Sequence, residues 1–171
     1  IGDVVIAWAL YYLLAPVQRP LSLLASVFRY LYAALGLVGV FDLFIAYRFV
    51  HGGLYAASLS GAQIKAAVAL MLASFRYEWS LALIIFGIHL ILIGYLIARS
   101  SYVPKWIGVL LCIDGLYWMF SGFRPYALPS VTPGIFFYFT FTELIFMLWL
   151  VFWGSRIREP VTSPPIPASK T

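Results

Sequence analysis

Charged side chains are scarce in this sequence. Only 10% of its 171 residues are Asp, Glu, Lys or Arg, whereas 64% are hydrophobic. A soluble domain carries about a quarter charged residues and roughly half apolar ones. A water-soluble core of this size could not hide so much apolar surface, so lipid must solvate most of it. The composition therefore predicts an all-α, polytopic transmembrane helix bundle.

The sequence also lacks the features of most enzyme classes. It has no nucleophile elbow, phosphate-binding loop, dinucleotide fingerprint or zinc-protease motif. Its one cysteine, Cys112, lies in an apolar run, cannot form an intrachain disulfide, and is predicted to be buried and inert. The net charge of +5 is spread through short loops and a tail, unlike the clustered basic face that binds nucleic acid. We expect no catalytic residue, no metal site and no nucleic-acid partner.

Long apolar runs divided by turn residues dominate what is present. Five runs are interpreted as membrane spans, at about residues 1–15, 21–47, 78–98, 103–121 and 134–153. The first reaches only about 22 Å, short of a hydrocarbon core of roughly 30 Å. Because the apolar run begins at Ile1 itself, we expect further helix ahead of it. The turn residues from Pro16 to Pro20 separate the first two runs.

Two shorter segments complete the sequence-based description. Ser60 and Gln63 form a capping-box pattern that begins a helix at about 61–74, which is too short to span and is predicted to lie at the membrane interface. The tail, residues 155–171, has four prolines and is predicted to be disordered. If this tail is cytoplasmic, six basic residues lie inside and four outside, so the positive-inside rule favours that orientation.

Five ionisable side chains lie well inside the predicted spans, where charges are expensive and mark sites or paired internal contacts. They are Asp3, Arg29, His89, Asp114 and Glu143. The last three lie near the middle of consecutive spans, and antiparallel neighbours bring such groups to similar depth. We therefore predict that His89, Asp114 and Glu143 can meet near the membrane midplane.

The second span carries a stripe of small or polar residues. Ser22, Ser26, Arg29, Ala33 and Gly36 recur at alternating spacings of four and three, which places them on one helix face. Small residues allow close helix packing, so we expect this stripe to face the bundle and to carry Arg29 inward. Arginine keeps its charge and needs a carboxylate partner there. The available carboxylates are Asp3, Asp114 and Glu143.

Three interpretations of these buried groups stay open. A histidine with two carboxylates could bind iron, zinc or manganese, although no paired ligand motif on one helix supports this. The same groups could form a proton or ion pathway. The plainest interpretation is a hydrogen-bonded network that fixes helix register. Separately, the aromatic residues near Tyr117 and Phe136 could contact a quinone, lipid or pigment, although ordinary membrane packing explains these aromatic residues equally well. A haem could use His89 as its ligand.

The residues also suggest a family. The stretches FGIHLILIGYL at 86–96, RSSYVP at 99–104 and IGVLL at 107–111 resemble the bacterial membrane proteins grouped as domain-of-unknown-function family 4386. RPLSLLA at 19–25, and Glu143 followed by Leu148-Trp149-Leu150, agree with that pattern. The resemblance implies a six-helix protein of a bacterial cytoplasmic membrane, with one helix ahead of Ile1. Asp114 departs from the pattern, and the family brings no established activity.

Because the sequence has no recognised catalytic motif and the family brings no activity, the functional hypotheses start from a non-catalytic role. The first hypothesis is a non-catalytic accessory or scaffold subunit that packs its apolar surface on lipid and on other membrane protein subunits. The alternative is a small proton- or ion-coupled transporter that uses Arg29, His89 and Glu143. An intramembrane metal- or haem-binding enzyme is the third.

Overall fold

The described part of the chain is almost entirely helical. The computed structural model describes residues 2–52, 58–127, 141–154 and 157. Within them lie four helices, α1 (Gly2–Val50), α2 (Gly61–Arg99), α3 (Lys105–Ala127) and α4 (Thr142–Trp153). The first three are long and apolar enough to cross a membrane. The prediction of an all-α, membrane-integral protein is confirmed, but five spans plus an interfacial helix are not supported.

Helix α1 takes up the first two predicted spans and folds back on itself. Gln18 has extended backbone angles (φ −160°, ψ 98°) inside an otherwise helical stretch. The break has a local cause, because Pro20 has no N–H to donate to the carbonyl of Pro16. Residues 2–17, the first arm, and residues 19–50, the second arm, therefore run antiparallel and pack side by side. Ser22 Oγ donates to Tyr11 O across this packing, at 2.9 Å.

Helix α2 corrects the prediction of a separate interfacial helix. The segment predicted at 61–74 and the span predicted at 78–98 form one helix of 39 residues, about 58 Å long. Its start is as predicted, since Ser60 Oγ accepts from Gln63 N at 3.3 Å and Gln63 Oε1 accepts from Ser60 N at 2.9 Å. Arg76 and Glu78 interrupt the hydropathy between the two segments, but neither residue breaks a helix.

Helices α2 and α3 pack antiparallel through small residues spaced seven apart. Ser80, Gly87 and Gly94 on α2 face Gly122, Gly115 and Gly108 on α3, respectively, and all six are buried. A Cβ atom at Gly94 would lie 2.5 Å from Gly108 O, and one at Gly115 would lie 2.6 Å from Gly87 O. A spacing of seven keeps these positions on one helix face. The backbones of α2 and α3 are therefore in direct contact.

The connection between α2 and α3 is held by Ser100 and Tyr102. Ser100 Oγ donates to Ile97 O at 2.8 Å, and Val103 N donates to Ser100 Oγ at 3.3 Å. Tyr102 Oη donates to Leu13 O at 2.5 Å, which ties this connection to the first arm of α1. Helix α3 begins at Lys105, slightly later than the predicted span at 103–121, and continues to Ala127.

The last predicted segments are only partly within the described residues. Helix α4 has 12 residues, about 18 Å. The beginning of the span predicted at 134–153 lies outside the described residues, as does the tail at 155–171 apart from Ile157.

Candidate functional site: a polar cleft among the helices

Arg29 and Asp3 form the centre of the site. Arg29 Nε donates to Asp3 Oδ1 at 2.8 Å, and Arg29 Nη2 lies 2.6 Å from the same oxygen. The contact joins the two arms of α1. The guanidinium also lies over the rings of Phe86 and Tyr32, with its carbon 4.9 Å and 5.8 Å from the ring centroids. Aromatic faces stabilise a cation that little water reaches. The guanidinium of Arg29 is therefore stabilised by the carboxylate of Asp3 and by the two aromatic rings.

The predicted stripe on the second arm is what aims Arg29 inward. Ser22 and Ser26 are buried, and Ser26 Oγ lies 3.0 Å from Ala7 O of the first arm. The first half of the stripe therefore lies against the first arm, and the helix continues directly to Arg29. Ala33 is only half-buried. A Cβ at Gly36 would have no neighbour within 4 Å among the described residues outside its own helix, so close packing does not extend that far.

Glu143 faces Arg29 from α4. Its Oε2 lies 3.9 Å from Arg29 Nη1, farther than Asp3. Glu143 lies in the first turn of α4. Carboxylates are favoured at helix N-termini because the unpaired N–H groups there carry partial positive charge. By distance, Asp3 is the close partner of Arg29 and Glu143 the more distant one.

His89 is completely buried beside this cluster. Its Nδ1 lies 2.8 Å from Ala25 O, one turn before Arg29 on the second arm. A carbonyl oxygen only accepts, so Nδ1 carries the proton and donates it to Ala25 O. The other ring nitrogen, Nε2, has no hydrogen-bond partner among the residues that the structure describes. In the neutral ring this nitrogen offers a buried, unused lone pair.

Asp114 is also fully buried, but it does not join the ion pairs. Neither of its carboxylate oxygens has a hydrogen-bond partner within the described ranges. The structure thus brings Asp3, Arg29 and Glu143 into one cluster, places His89 beside it, and leaves Asp114 outside the ion pairs and the lining of the cleft.

The buried polar groups lie about midway along the packed helices. Arg29 is ten residues from Arg19, and His89 is ten residues from Arg99. Both distances correspond to about 15 Å along the helix, half of a hydrocarbon core of roughly 30 Å. Asp114 lies at a similar distance from the start of α3 at Lys105. His89 and Asp114 therefore lie at similar distances from the connection between α2 and α3, while their meeting with Glu143 at the membrane midplane stays a prediction.

Arg29, His89 and Glu143 share a cleft of about 180 Å³. The rest of its lining is apolar and comes from all four helices: Ile6, Ala9, Leu10, Leu90, Ile93, Leu111, Phe146, Met147 and Leu150. Pockets of this kind, apolar with a few convergent polar groups, are the usual form of a small-molecule site. The cleft is therefore the candidate functional site of the described bundle.

Metal binding finds no preformed ligand set in the described ranges. No group of three His, Cys, Asp or Glu side chains lies close enough together there to hold an ion.

Cys112, the one thiol, is half-buried and contacts Ile91 O at 3.6 Å. Of the aromatic residues named from the sequence, Tyr117 is buried, and Phe136 lies outside the described residues.

The comparison with known proteins assigns the bundle to a family. Residues 1–154 match the family described as Domain of unknown function (DUF4386). The chain belongs to this family. An "Uncharacterized protein" of Archaeoglobus fulgidus is 32% identical to this DUF4386 chain over 162 residues, which cover 95% of this chain and 83% of the relative. No solved structure matches the chain.

The structure gives physical roles to the motifs that suggested the DUF4386 resemblance. In 86–96, His89 reaches the cleft and Gly87 and Gly94 contact α3. In 99–104, Ser100 holds the connection between helices. Sequence reasoning missed the six-residue glycine and serine contact between α2 and α3. The signal was available, because Gly108, Gly115 and Gly122 repeat every seven residues.

Proposed function

We propose that this DUF4386 protein is a small proton- or ion-coupled carrier, in which Glu143 takes up and releases the proton. The proposal rests on the unequal pairing of Arg29. Asp3 makes two contacts with the guanidinium, at 2.6 and 2.8 Å, whereas Glu143 approaches no nearer than 3.9 Å. Asp3 alone therefore balances the positive charge of Arg29, and the negative charge of Glu143 is left without a counter-charge of its own.

A second carboxylate at this depth carries a charge without a full partner. Burying an uncompensated carboxylate costs several kcal/mol, and ionisable groups inside membranes commonly mark proton and ion pathways. Protonation of Glu143 removes that charge and leaves a neutral Arg29–Asp3 pair. Deprotonation lets Glu143 compete with Asp3 for the guanidinium. Glu143 is thus placed to couple a proton to the arrangement of the cleft.

A flux assay tests the proposal. Purified protein is reconstituted into liposomes that contain a pH-sensitive dye, and a membrane potential is imposed in the presence of Na⁺, K⁺ or Cl⁻ gradients. We expect proton movement above that of empty liposomes and its loss in Glu143→Gln, which keeps the size of the side chain.

Glu78→Gln is the matched control. Glu78 also lies on a predicted span and accepts from Ser74 Oγ at 3.1 Å, but it does not line the cleft. We expect this variant to keep the flux. Wild-type flux equal to that of empty liposomes under every gradient, or equal flux in wild type and Glu143→Gln, would refute the carrier.

The accessory-subunit hypothesis stays a second candidate because of one observation. The far half of the second arm packs along the beginning of α2, where a Cβ at Gly39 would lie 3.0 Å from the Phe75 ring. This pair exposes many large apolar side chains, including Phe41, Phe44, Tyr47, Val50, Leu70 and Leu72. Such a surface suits lipid and equally another membrane subunit. Purification in mild detergent tests it, since a lone monomer with no co-purifying chain contradicts it.

We also propose that the protein lies in a bacterial cytoplasmic membrane with its C-terminal tail inside. Arg19, Arg99 and Lys105 all lie at the turns on one end of the bundle, and basic residues in short loops favour the cytoplasmic side. A reporter fused after Thr171 that is active only in the cytoplasm should be active. Activity of a periplasm-specific reporter at the same site would reverse this orientation.

A further inference from the structure

We infer that the cleft binds an uncharged amphiphile whose headgroup is one hydroxylated ring, such as a phenol or a quinol. This inference rests on the proposed function only in that it names a ligand of the same site. Binding itself, however, does not require transport.

The cleft opens sideways toward lipid. Ile6, Ala9 and Met147 line it and are also exposed on the outer surface of the first arm and α4, where Met147 is 53% exposed. At the other end of the cleft, Leu90 and His89 are buried. Among the residues that the structure describes, the polar groups that line the cleft are Arg29, His89 and Glu143. An amphiphile could therefore enter from the bilayer with its polar end first and leave its apolar tail among the lipids.

His89 sets the hydrogen-bond character of the headgroup. Because Nδ1 donates to Ala25 O, the neutral ring presents Nε2 as an acceptor. This nitrogen is fully buried and has no partner in the described part of the chain. A buried polar atom without a partner costs free energy. A hydroxyl group of the ligand would donate to Nε2 and remove that cost.

The charges of the cluster exclude an anionic headgroup. Asp3 already neutralises Arg29, and Glu143 lies beside them, so a ligand carboxylate or phosphate would meet more negative than positive charge. A cationic headgroup would meet Arg29 and would need to cross apolar walls unpaired, which is costly. A neutral hydroxyl avoids both penalties, and it can also accept from Arg29 or donate to Glu143.

The volume limits the headgroup to one ring. An apolar cavity of about 150 Å³ holds benzene, and this cleft measures about 180 Å³. One six-membered aromatic ring with a hydroxyl fills that space between Leu10, Ile93 and Phe146. Fused rings such as those of a pigment or haem are too large for the cleft.

The test uses two probes that differ by one methyl group, which removes the hydrogen-bond donor. para-Heptylphenol carries the hydroxyl donor, and para-heptylanisole replaces its hydrogen with a methyl group. Saturable binding is measured with the whole protein in lipid nanodiscs, against empty nanodiscs. We expect the phenol to bind about tenfold more tightly than the anisole, which is the worth of one buried hydrogen bond. Nitrogen NMR should show the phenol shifting Nε2 of His89 and not the exposed ring of His51, the only other histidine.

Three variants locate the binding. His89→Asn keeps a donor near the position of Nδ1 and removes Nε2, so it should bind both probes equally. Ala9→Phe fills the mouth of the cleft and should abolish saturable binding, whereas Val5→Phe, on the exposed surface of the same arm and outside the cleft, should not. Thermal unfolding confirms that each variant is folded.

The outcomes separate this inference from the proposed carrier. No saturable phenol binding, equal affinity for phenol and anisole, or normal binding by Ala9→Phe overturns the inference even if proton flux is present. Specific phenol binding without any flux supports it and overturns the carrier instead.

Discussion

Replacing Gly87 by alanine tests whether α2 and α3 touch at their backbones. A Cβ at Gly87 would overlap the carbonyl oxygen of Gly115 and lie 2.5 Å from Met119 Cγ and 2.9 Å from Met119 N. Ordinary contacts between such atoms are about 3.5–4.0 Å. The Met119 side chain can move, but two of the three neighbours belong to the backbone of α3. The helices must therefore separate.

The size of the effect follows from two opposing terms. Alanine in a helix is favoured over glycine by about 1 kcal/mol, whereas overpacking costs about 1–3 kcal/mol. Because backbone atoms cannot rotate away, we expect the upper end and a net loss of about 2 kcal/mol for Gly87→Ala. Gly36→Ala is the matched control, since nothing described outside its own helix lies within 4 Å of a Cβ there. It should gain up to about 1 kcal/mol.

Reversible unfolding in mixed micelles, followed by far-ultraviolet circular dichroism, measures both variants. A difference of about 3 kcal/mol corresponds to roughly a hundredfold in the ratio of folded to unfolded protein. If Gly87→Ala is as stable as Gly36→Ala, the close contact of α2 and α3 is wrong, and the register that places His89 in the cleft loses its support.

Two further substitutions test how the arms of α1 are held. Arg29→Met leaves Asp3 without its partner and should lower the free energy of unfolding by about 3 kcal/mol. Adding Asp3→Leu should restore part of that loss in the same unfolding assay. If the losses of the two single variants simply add in the double variant, the ion pair is contradicted. Tyr102→Phe removes the hydrogen bond to Leu13 O and should lose about 1 kcal/mol, whereas Tyr12→Phe, on the exposed face of the first arm, should lose nothing measurable.

Local chemistry made part of this fold predictable. Prolines at positions 16 and 20 predicted the turn that divides α1, and the Ser60 and Gln63 pattern predicted the start of α2. Asp3 and Glu143 were two of the three carboxylates expected to partner Arg29. The turn and the helix start are decided by a few neighbouring residues. The partner of Arg29 is decided by charge, because an arginine buried in a membrane needs a carboxylate whatever the fold.

Other features depend on contacts between distant segments and were not predicted. Hydropathy divided α2 at Arg76 and Glu78, although helix continuity depends on backbone hydrogen bonds that charges do not break. His89 was expected to meet carboxylates, but its partner is Ala25 O, a backbone atom that no composition argument identifies. The cleft itself exists only because α4 and the first arm of α1 stand on either side of His89.

Infrared difference spectroscopy of the protein in lipid, recorded as pH is changed, tests the central claim most directly. We predict that the carbonyl band of protonated carboxylic acids, which grows at low pH and disappears as pH rises, contains one component that is absent from Glu143→Gln and persists in Glu78→Gln. A spectrum in which Glu143→Gln and wild type show the same carboxyl bands would contradict the assignment of Glu143 as the group that takes up and releases the proton.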